Sequence, residues 1–360
     1  MGLSVVIAPD SFKGSLTAVE ASEAIAAGWR ELRPADELRL LPQADGGEGT
    51  LDAIESSLPG ATRHRVESVT GPDGGATDAT WLELPDGVAV VELAESSGLP
   101  LMAIADALGA STRGLGEVIR VALASCASSL VIALGGSAST DGGAGALQAL
   151  GLLLLQVNGS EVAAGGGGLY QLHSLHARDL LPPPPGGVTV LTDVTAPLLG
   201  ATGAAAVFGP QKGATPDDVQ HLEAALTRYA TLLGGDPTVP WAGAAGGTAY
   251  GFIAAWGAMV EPGADWIAKT TGLSNAIRTA DVVITGEGRF DSTSLDGKVV
   301  GNVIRSAGAS RVGVVAGSVA IEHDAWTVSL SELAGSVEAA MAEPERWLKV
   351  AGRNAALHFG

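Results

Sequence analysis

The stretch SLVIALGGSASTDGGAGAL, residues 129–147, decides how this chain is read. After Ser129 comes the uninterrupted apolar run LVIA, and the fourteen residues from Leu134 carry five glycines, three hydroxyl side chains and one carboxylate. A short Val/Ile/Leu run bounded by glycine is the pattern of a strand buried on both faces, which a parallel sheet covered by helices requires. Apolar residues resume at GAGAL, so the unit reads as strand, tight polar turn, helix. Outward along the chain the pattern recurs in LSVVIAPDSFKGS (3–15), LRLLPQADGGEGT (38–50), VTVLTDVTAPLLG (188–200), DVVITGEGRFD (281–291) and VGVVAGS (312–318). Strands alternating with helices mark an α/β fold, and ligands of such sheets gather at the carboxyl ends of strands, where these turns lie.

Helix boundaries support this reading. Thr17 and Glu20 have the spacing of a capping box before AVEASEAIAAGWREL, and Pro34 stops that helix. Thr215, Pro216, Asp217 and Asp218 open another helix, which Gly234 and Gly235 close. Residues 62–95 differ, because RVESVT, TDATWLEL and VAVVELAE are separated by turn sequences and read as antiparallel strands. A domain change is expected near there. GGGG at 165–168 and PPPP at 182–185 read as an exposed surface loop and a stiff spacer, and the final segment as one or two amphipathic helices.

At 360 residues the chain exceeds what one core usually covers, so two domains are expected, and 46% hydrophobic against 16% charged residues supplies their cores. A net charge of -19 with no Lys/Arg patch argues against a nucleic-acid partner. The single cysteine, Cys126, allows no internal disulfide, and the first residues lack a secretory pattern, which together favour a reduced cytoplasm. Two uncharged stretches, 121–140 and 237–260, have membrane-spanning length, but SCASS interrupts the first and five glycines the second.

The turn at 134–147 matches no standard fingerprint. No Gly-Lys-Ser/Thr occurs for a Walker loop, GAGALQ breaks GxGxxG at its last glycine, and GGSAS lacks the final glycine of a nucleophile elbow. HSLH (173–176) has no companion ligands at metal spacing. What the turn does offer is backbone. Gly135 and Gly136 let N–H groups converge, Ser137, Ser139 and Thr140 add hydroxyls, and a helix starting near Gly142 or Gly143 turns its positive end toward an anion. The lysines point the same way: of five, Lys13, Lys212 and Lys298 each touch a glycine in a polar turn. Asp10, Asp45, Glu48, Asp141, Asp193, Glu287 and Asp291 stand in matching turns. Lysines and carboxylates together at strand ends suit metal-assisted phosphoryl transfer, in which positioning and charge neutralisation carry most of the catalysis.

These turns, in order, resemble the type I glycerate kinases. The matching blocks are APDSFKGSL (8–16), ADGGEGT (44–50), ELAESSGLPL (92–101), ALGGSASTDGGAGAL (133–147), FGPQKGAT (208–215) and ITGEGRFD (284–291). The chain departs from the family's usual residues at Ala196, Phe290 and Thr293. The resemblance implies ATP-dependent, Mg²⁺-requiring phosphorylation of D-glycerate, usually to 2-phosphoglycerate. It implies a fold of two α/β domains around a cleft, one flavodoxin-like and inserted into one that is restriction-enzyme-like or Rossmann-like. The expected boundaries are 1–65 plus 285–360 for the discontinuous domain and 66–284 for the inserted one.

Within that frame Arg289 and Lys13 are expected to hold the glycerate carboxylate, since a guanidinium fork suits a carboxylate. Asp193, or failing that Asp291, is expected to accept the hydroxyl proton. Gly135, Gly136, Ser137, Ser139, Thr140, Lys212 and Lys298 are the expected nucleotide ligands, with Mg²⁺ on Asp45 or Glu287. D-Glycerate is the expected small-molecule partner, with neither nucleic acid nor membrane, and a homodimer is left open. A kinase for another small hydroxy acid, 3-phosphoglycerate as product, and a non-catalytic nucleotide-binding protein remain the alternatives.

Overall fold

The computed structural model describes residues 2–295, 298–308 and 310–360. The chain divides into two compact units, the first comprising Met1–Asp45, Asp52–Pro59 and Pro262–Gly360, the second Gly46–Leu51 and Gly60–Glu261. The strands are β1 (Ser4–Ile7), β2 (Glu37–Leu40), β3 (Thr62–Thr70), β4 (Ala76–Glu83), β5 (Val88–Glu92), β6 (Ser129–Ala133), β7 (Leu153–Leu155), β8 (Ser174–His176), β9 (Val188–Leu191), β10 (Met259–Glu261), β11 (Val282–Phe290), β12 (Arg311–Val319) and β13 (Trp326–Ser329).

The first unit is built on a parallel sheet in the order β13-β12-β11-β1-β2. Side chains alternate across a strand, so each apolar run supplies two cores at once. Val5, Ile7, Val282 and Ile284 turn to one face, where Trp29 of helix Ala18–Leu32 and Leu348 and Phe359 of helix Pro344–Phe359 cover them. Val6, Ala8 and Val283 turn to the other, under helices Gly263–Thr270 and Val299–Ser306. The two helices on the first face touch through glycine. A Cβ on Gly28 would lie 1.9 Å from the Lys349 carbonyl oxygen, and one on Gly352 would lie 2.1 Å from that of Ile25. Thr17 and Glu20 form the capping box expected of them.

The second unit carries a mixed sheet in the order β10-β9-β6-β5-β4-β3, with β7 and β8 paired separately. The strands β10, β9, β6 and β5 run parallel, whereas β5–β4 and β4–β3 are antiparallel, as the turn-rich 62–95 stretch anticipates. The unit boundaries fall elsewhere than expected. Residues 262–284 belong to the first unit because Ala264, Ala268, Leu273 and Ile277 fill its core beside Val6 and Val283. Residues 60–65 belong to the second, since β3 begins at Thr62 and cannot be divided from its own strand.

The four glycines at 165–168 are not the exposed loop expected of them. Gly165 and Gly166 are buried, and a Cβ on Gly166 would meet the Thr140 carbonyl oxygen at 2.2 Å. Glycine is needed there for close packing and not for mobility. Among the described residues no helix is long and apolar enough to cross a membrane.

Candidate active-site elements of the two units

In the second unit the glycine turn follows β6 directly and is threaded against two other loops. The Gly135 N–H donates to Gly46 O at 2.8 Å, and a Cβ on Gly135 would lie 2.2 Å from Gly47 Cα, so the LGGS and DGGEG turns meet glycine on glycine. On the other side Leu99 N–H donates to Gly136 O (2.8 Å) and Ala138 N–H to Ser97 O (3.0 Å). Gly136 takes φ +76°, a left-handed conformation that side chains disfavour. At the front of the turn this leaves the N–H groups of Gly136 and Ser137, both in the pocket lining, to face a ligand. The segment 46–49 is itself anchored, because the buried Glu92 carboxylate accepts from the N–H groups of Gly49 (3.0 Å) and Leu51 (3.2 Å).

The helix that follows the turn does not present its amino end to an outside anion. It spans Ala144–Ala149, and the anion at its start is internal: buried Asp141 accepts from Gly143 N (3.1 Å), Gly145 N (3.2 Å), Thr112 N (2.9 Å) and Thr112 Oγ1 (2.8 Å). Thr112 Oγ1 accepts in turn from Ala146 N–H at 3.0 Å. The expected cradle of residues 135–143 thus contracts to its first three, since a carboxylate already satisfies the donors a phosphate would seek. Ser139 and Thr140 are fully buried behind the turn and do not line its pocket.

Ser139 holds a lysine in place. The Lys212 Nζ donates to the Ser139 carbonyl oxygen, and the residue is only 2% exposed. Burial pushes its ammonium down from 10.5 to about 8, partly countered by the nearby Asp141 carboxylate. Lys212 forms part of a pocket of about 540 Å³, with Gly135, Gly136 and Ser137 on one side and apolar Leu99, Pro100 and Phe208 on another. Apolar walls with a few convergent polar groups are the usual make-up of a ligand cleft. Glu48, Thr192 and Gln211 complete its polar lining. Asp193, next after Thr192 at the end of β9, is exposed.

In the first unit the carboxyl ends of β1, β2 and β11 gather carboxylates. Asp10 N–H donates to Gly286 O at 2.8 Å, fixing the loop beside β11. Burial raises the Asp10 carboxyl from 3.8 to about 7, with the Asp45 and Glu287 charges adding to the rise and Ser11 N–H and Lys13 opposing it. Burial also raises Glu287, against a hydrogen bond from Ser294 and the Lys298 charge, and its Oε1 is buried with no hydrogen-bond partner among the described residues. Among the described residues no three His, Cys, Asp or Glu side chains form a cage for a metal ion.

Two of the expected catalytic residues hold each other. The exposed Arg289 Nε lies 3.1 Å from Asp291 Oδ2, and Asp291 also accepts from Thr293 N (2.9 Å) and Thr293 Oγ1 (2.8 Å). These hydrogen bonds, the Thr293 hydroxyl's foremost, hold the Asp291 carboxyl below its ordinary value. Lys298 is exposed, with Nζ 3.4 Å from Thr293 Oγ1, and its neighbour Gly297 lies outside the described residues. Lys13 stands with Ser15 and Ser318 in a separate pocket of about 100 Å³.

Sequence reasoning named Asp10 without a role and passed over Glu92, Thr192, Phe208 and Gln211. Glu92 opens the ELAESSGLPL block, which was the available signal. Phe208 and Gln211 lie in the FGPQKGAT block, a signal of the same kind, whereas Thr192 becomes visible only when the loops are folded together.

The model of the glycerate kinase family matches residues 5–359. Glycerate 2-kinase of Escherichia coli K12 is 42% identical over 329 residues, covering 88% of this chain and 86% of that protein. Glycerate kinase of Halalkalibacterium halodurans is 37% identical over 372 residues, covering 98% and 97%. A crystal structure from Salmonella typhimurium LT2, provisionally designated glycerate kinase 2, superposes with a TM-score of 0.84 at 38% identity, covering 99% of this chain and 98% of that one.

Proposed function

This chain belongs to the glycerate kinase family and is a kinase, and we propose that it transfers the γ-phosphoryl group of ATP to D-glycerate, yielding 2-phosphoglycerate. The observation that carries the nucleotide half is Lys212, a lysine kept buried on the wall of a 540 Å³ pocket beside glycine N–H groups. Burying an ammonium costs free energy, and an anionic ligand repays it. In this reading the Gly136 and Ser137 N–H groups and Lys212 receive phosphate oxygens, while Leu99, Pro100 and Phe208 contact the base. Lys298 is a second, exposed cation for phosphate charge in the first unit.

The residues present also fit Mg²⁺, which usually takes one or two carboxylates and completes its shell with phosphate oxygens and water. Glu287, with its orphaned buried Oε1, and Asp45 would hold it, and the ion supplies neutralisation of phosphate charge. Asp193 is the proton acceptor we favour, because it follows Thr192, which lines the same pocket as Lys212. Asp193→Asn then lowers kcat by two to four orders of magnitude, roughly the contribution of a general base, while nucleotide affinity is kept.

The test is ADP release with ATP, Mg²⁺ and a panel of D-glycerate, L-glycerate, lactate and glycolate. Turnover confined to D-glycerate supports the proposal; turnover with another acid in preference assigns the chain a different acceptor, and ATP binding without turnover leaves only a nucleotide-binding protein.

A further inference from the structure

We propose that the small pocket at the carboxyl ends of β11 and β12 in the first unit takes the acceptor acid, with Lys13 on its carboxylate, and that Met341 and Val337 set the length of acid admitted. The inference rests on the kinase reading above and adds the acceptor's location and size limit.

Volume separates the two pockets. About 100 Å³ is available here, against about 540 Å³ in the second unit. Ordinary clefts for drug-sized ligands run from roughly 300 to 1,000 Å³, so this one is too small for a nucleotide and suits a much smaller molecule. Its polar groups match a small hydroxy acid. Lys13 is the one cation in the lining, and Ser15 and Ser318 offer hydroxyls that donate to carboxylate oxygens and accept from alcohols. Arg289 is absent from the lining. Side chains alternate on β11, so Gly288 faces Phe12 and Lys13 while Arg289 points to the other side, where Asp291 takes it.

The remaining wall comes from a segment with no catalytic motif. Helix Val337–Ala342 follows the sheet and lays Val337, Ala340 and Met341 on the pocket. Ala340 is buried, whereas Val337 and Met341 are 51% and 53% exposed. Met341 Cε is the heavy atom closest to the space beyond Gly14, 4.0 Å from where a Cβ would stand there. Gly14 itself sits at φ +79°, in the turn that carries Lys13. Lys13 and Met341 line the same small pocket, so an acid whose carboxylate meets Lys13 shares that space with the Met341 thioether. One more carbon would have to displace a side chain that is flexible and adaptable, so its truncation should relax the limit without disturbing the fold.

The test measures kcat/KM for the four-carbon aldonic acid D-erythronate relative to D-glycerate in wild type and Met341→Ala, with D-glycerate affinity by calorimetry in wild type and Met341→Trp. Erythronate is longer by one hydroxymethine, and roughly tenfold, the low end of what a single methylene is worth in a hydrophobic pocket, is the scale expected for admitting or refusing it. The erythronate-to-glycerate ratio should rise about tenfold in Met341→Ala, and glycerate binding should weaken at least about tenfold in Met341→Trp. A ratio and an affinity both indifferent to position 341, in an enzyme that phosphorylates glycerate, overturn the pocket assignment and leave the kinase reading standing. A wild type that binds glycerate in a Met341-dependent way without turning it over supports the pocket and counts against the kinase reading.

Discussion

Replacing Lys212 with Met separates the cost of this lysine from its use. Its pKa falls from 10.5 to about 8 on folding, which at about 1.4 kcal/mol per tenfold change in proton affinity means roughly 3 kcal/mol paid to keep it charged at pH 7. Methionine fills similar space without that penalty but leaves the Ser139 carbonyl without its donor, a loss of about 1–2 kcal/mol. The net expectation is a gain of about 1–2 kcal/mol at pH 7, or a rise in Tm of roughly 2–6 °C in the ligand-free protein. The pH dependence has a definite sign. Because the folded pKa lies below the unfolded one, the unfolded chain holds the extra proton between about pH 8 and 10.5, so wild-type stability rises through that window and the variant's advantage shrinks. Activity moves the other way, with kcat/KM falling about 10²–10³-fold as a donor to developing phosphate charge is lost. Thermal melts from pH 7 to 10, paired with steady-state kinetics, read both effects. A variant less stable than wild type at pH 7, with no pH dependence in the difference, would mean that Lys212 is a structural prop and refute the argument.

Two further outcomes are expected. Gly135→Ala places a methyl 2.2 Å from Gly47 Cα, so chemical denaturation should show a loss of about 1–3 kcal/mol and raised KM for ATP, as overpacking separates the two turns; wild-type values for both would mean the loops yield freely. Asp10→Asn tests the carboxylate cluster in metal-free buffer. Folding raises the Asp10 carboxyl from 3.8 to about 7, so wild-type stability declines as pH rises across that interval, and the variant should gain relative to wild type from pH 4 to 7; a difference that is flat with pH would show that Asp10 is not proton-holding.

The fold was legible where strands are buried on both faces, because an unbroken run such as Val5–Ile7 or Leu130–Ala133 has few alternatives to a parallel sheet. Domain boundaries were less so. The helices at 263–277 carry an ordinary apolar stripe, and nothing local says which sheet that stripe will cover. The glycine turn at 134–147 announced a close approach, but its sequence did not reveal that Asp141 would cap the following helix and consume the donors assigned to a phosphate. Ser139 and Thr140 look like ligands in sequence, but both are buried, and Ser139 acts from behind, through the carbonyl that steadies Lys212. Arg289 and Asp291 were chosen separately for opposite charges, and in space those charges meet each other. The wall formed by Met341 had no signature at all, since an exposed methionine on a short helix acquires meaning only from what it overhangs.

The account turns on one reaction, which ³¹P NMR of the purified protein with ATP, Mg²⁺ and D-glycerate observes directly. It predicts loss of the γ-phosphate signal of ATP and a new monoester resonance split into a doublet by the single proton on C2. A triplet would reassign the product to 3-phosphoglycerate, and an ATP spectrum unchanged in the presence of folded protein would contradict the account.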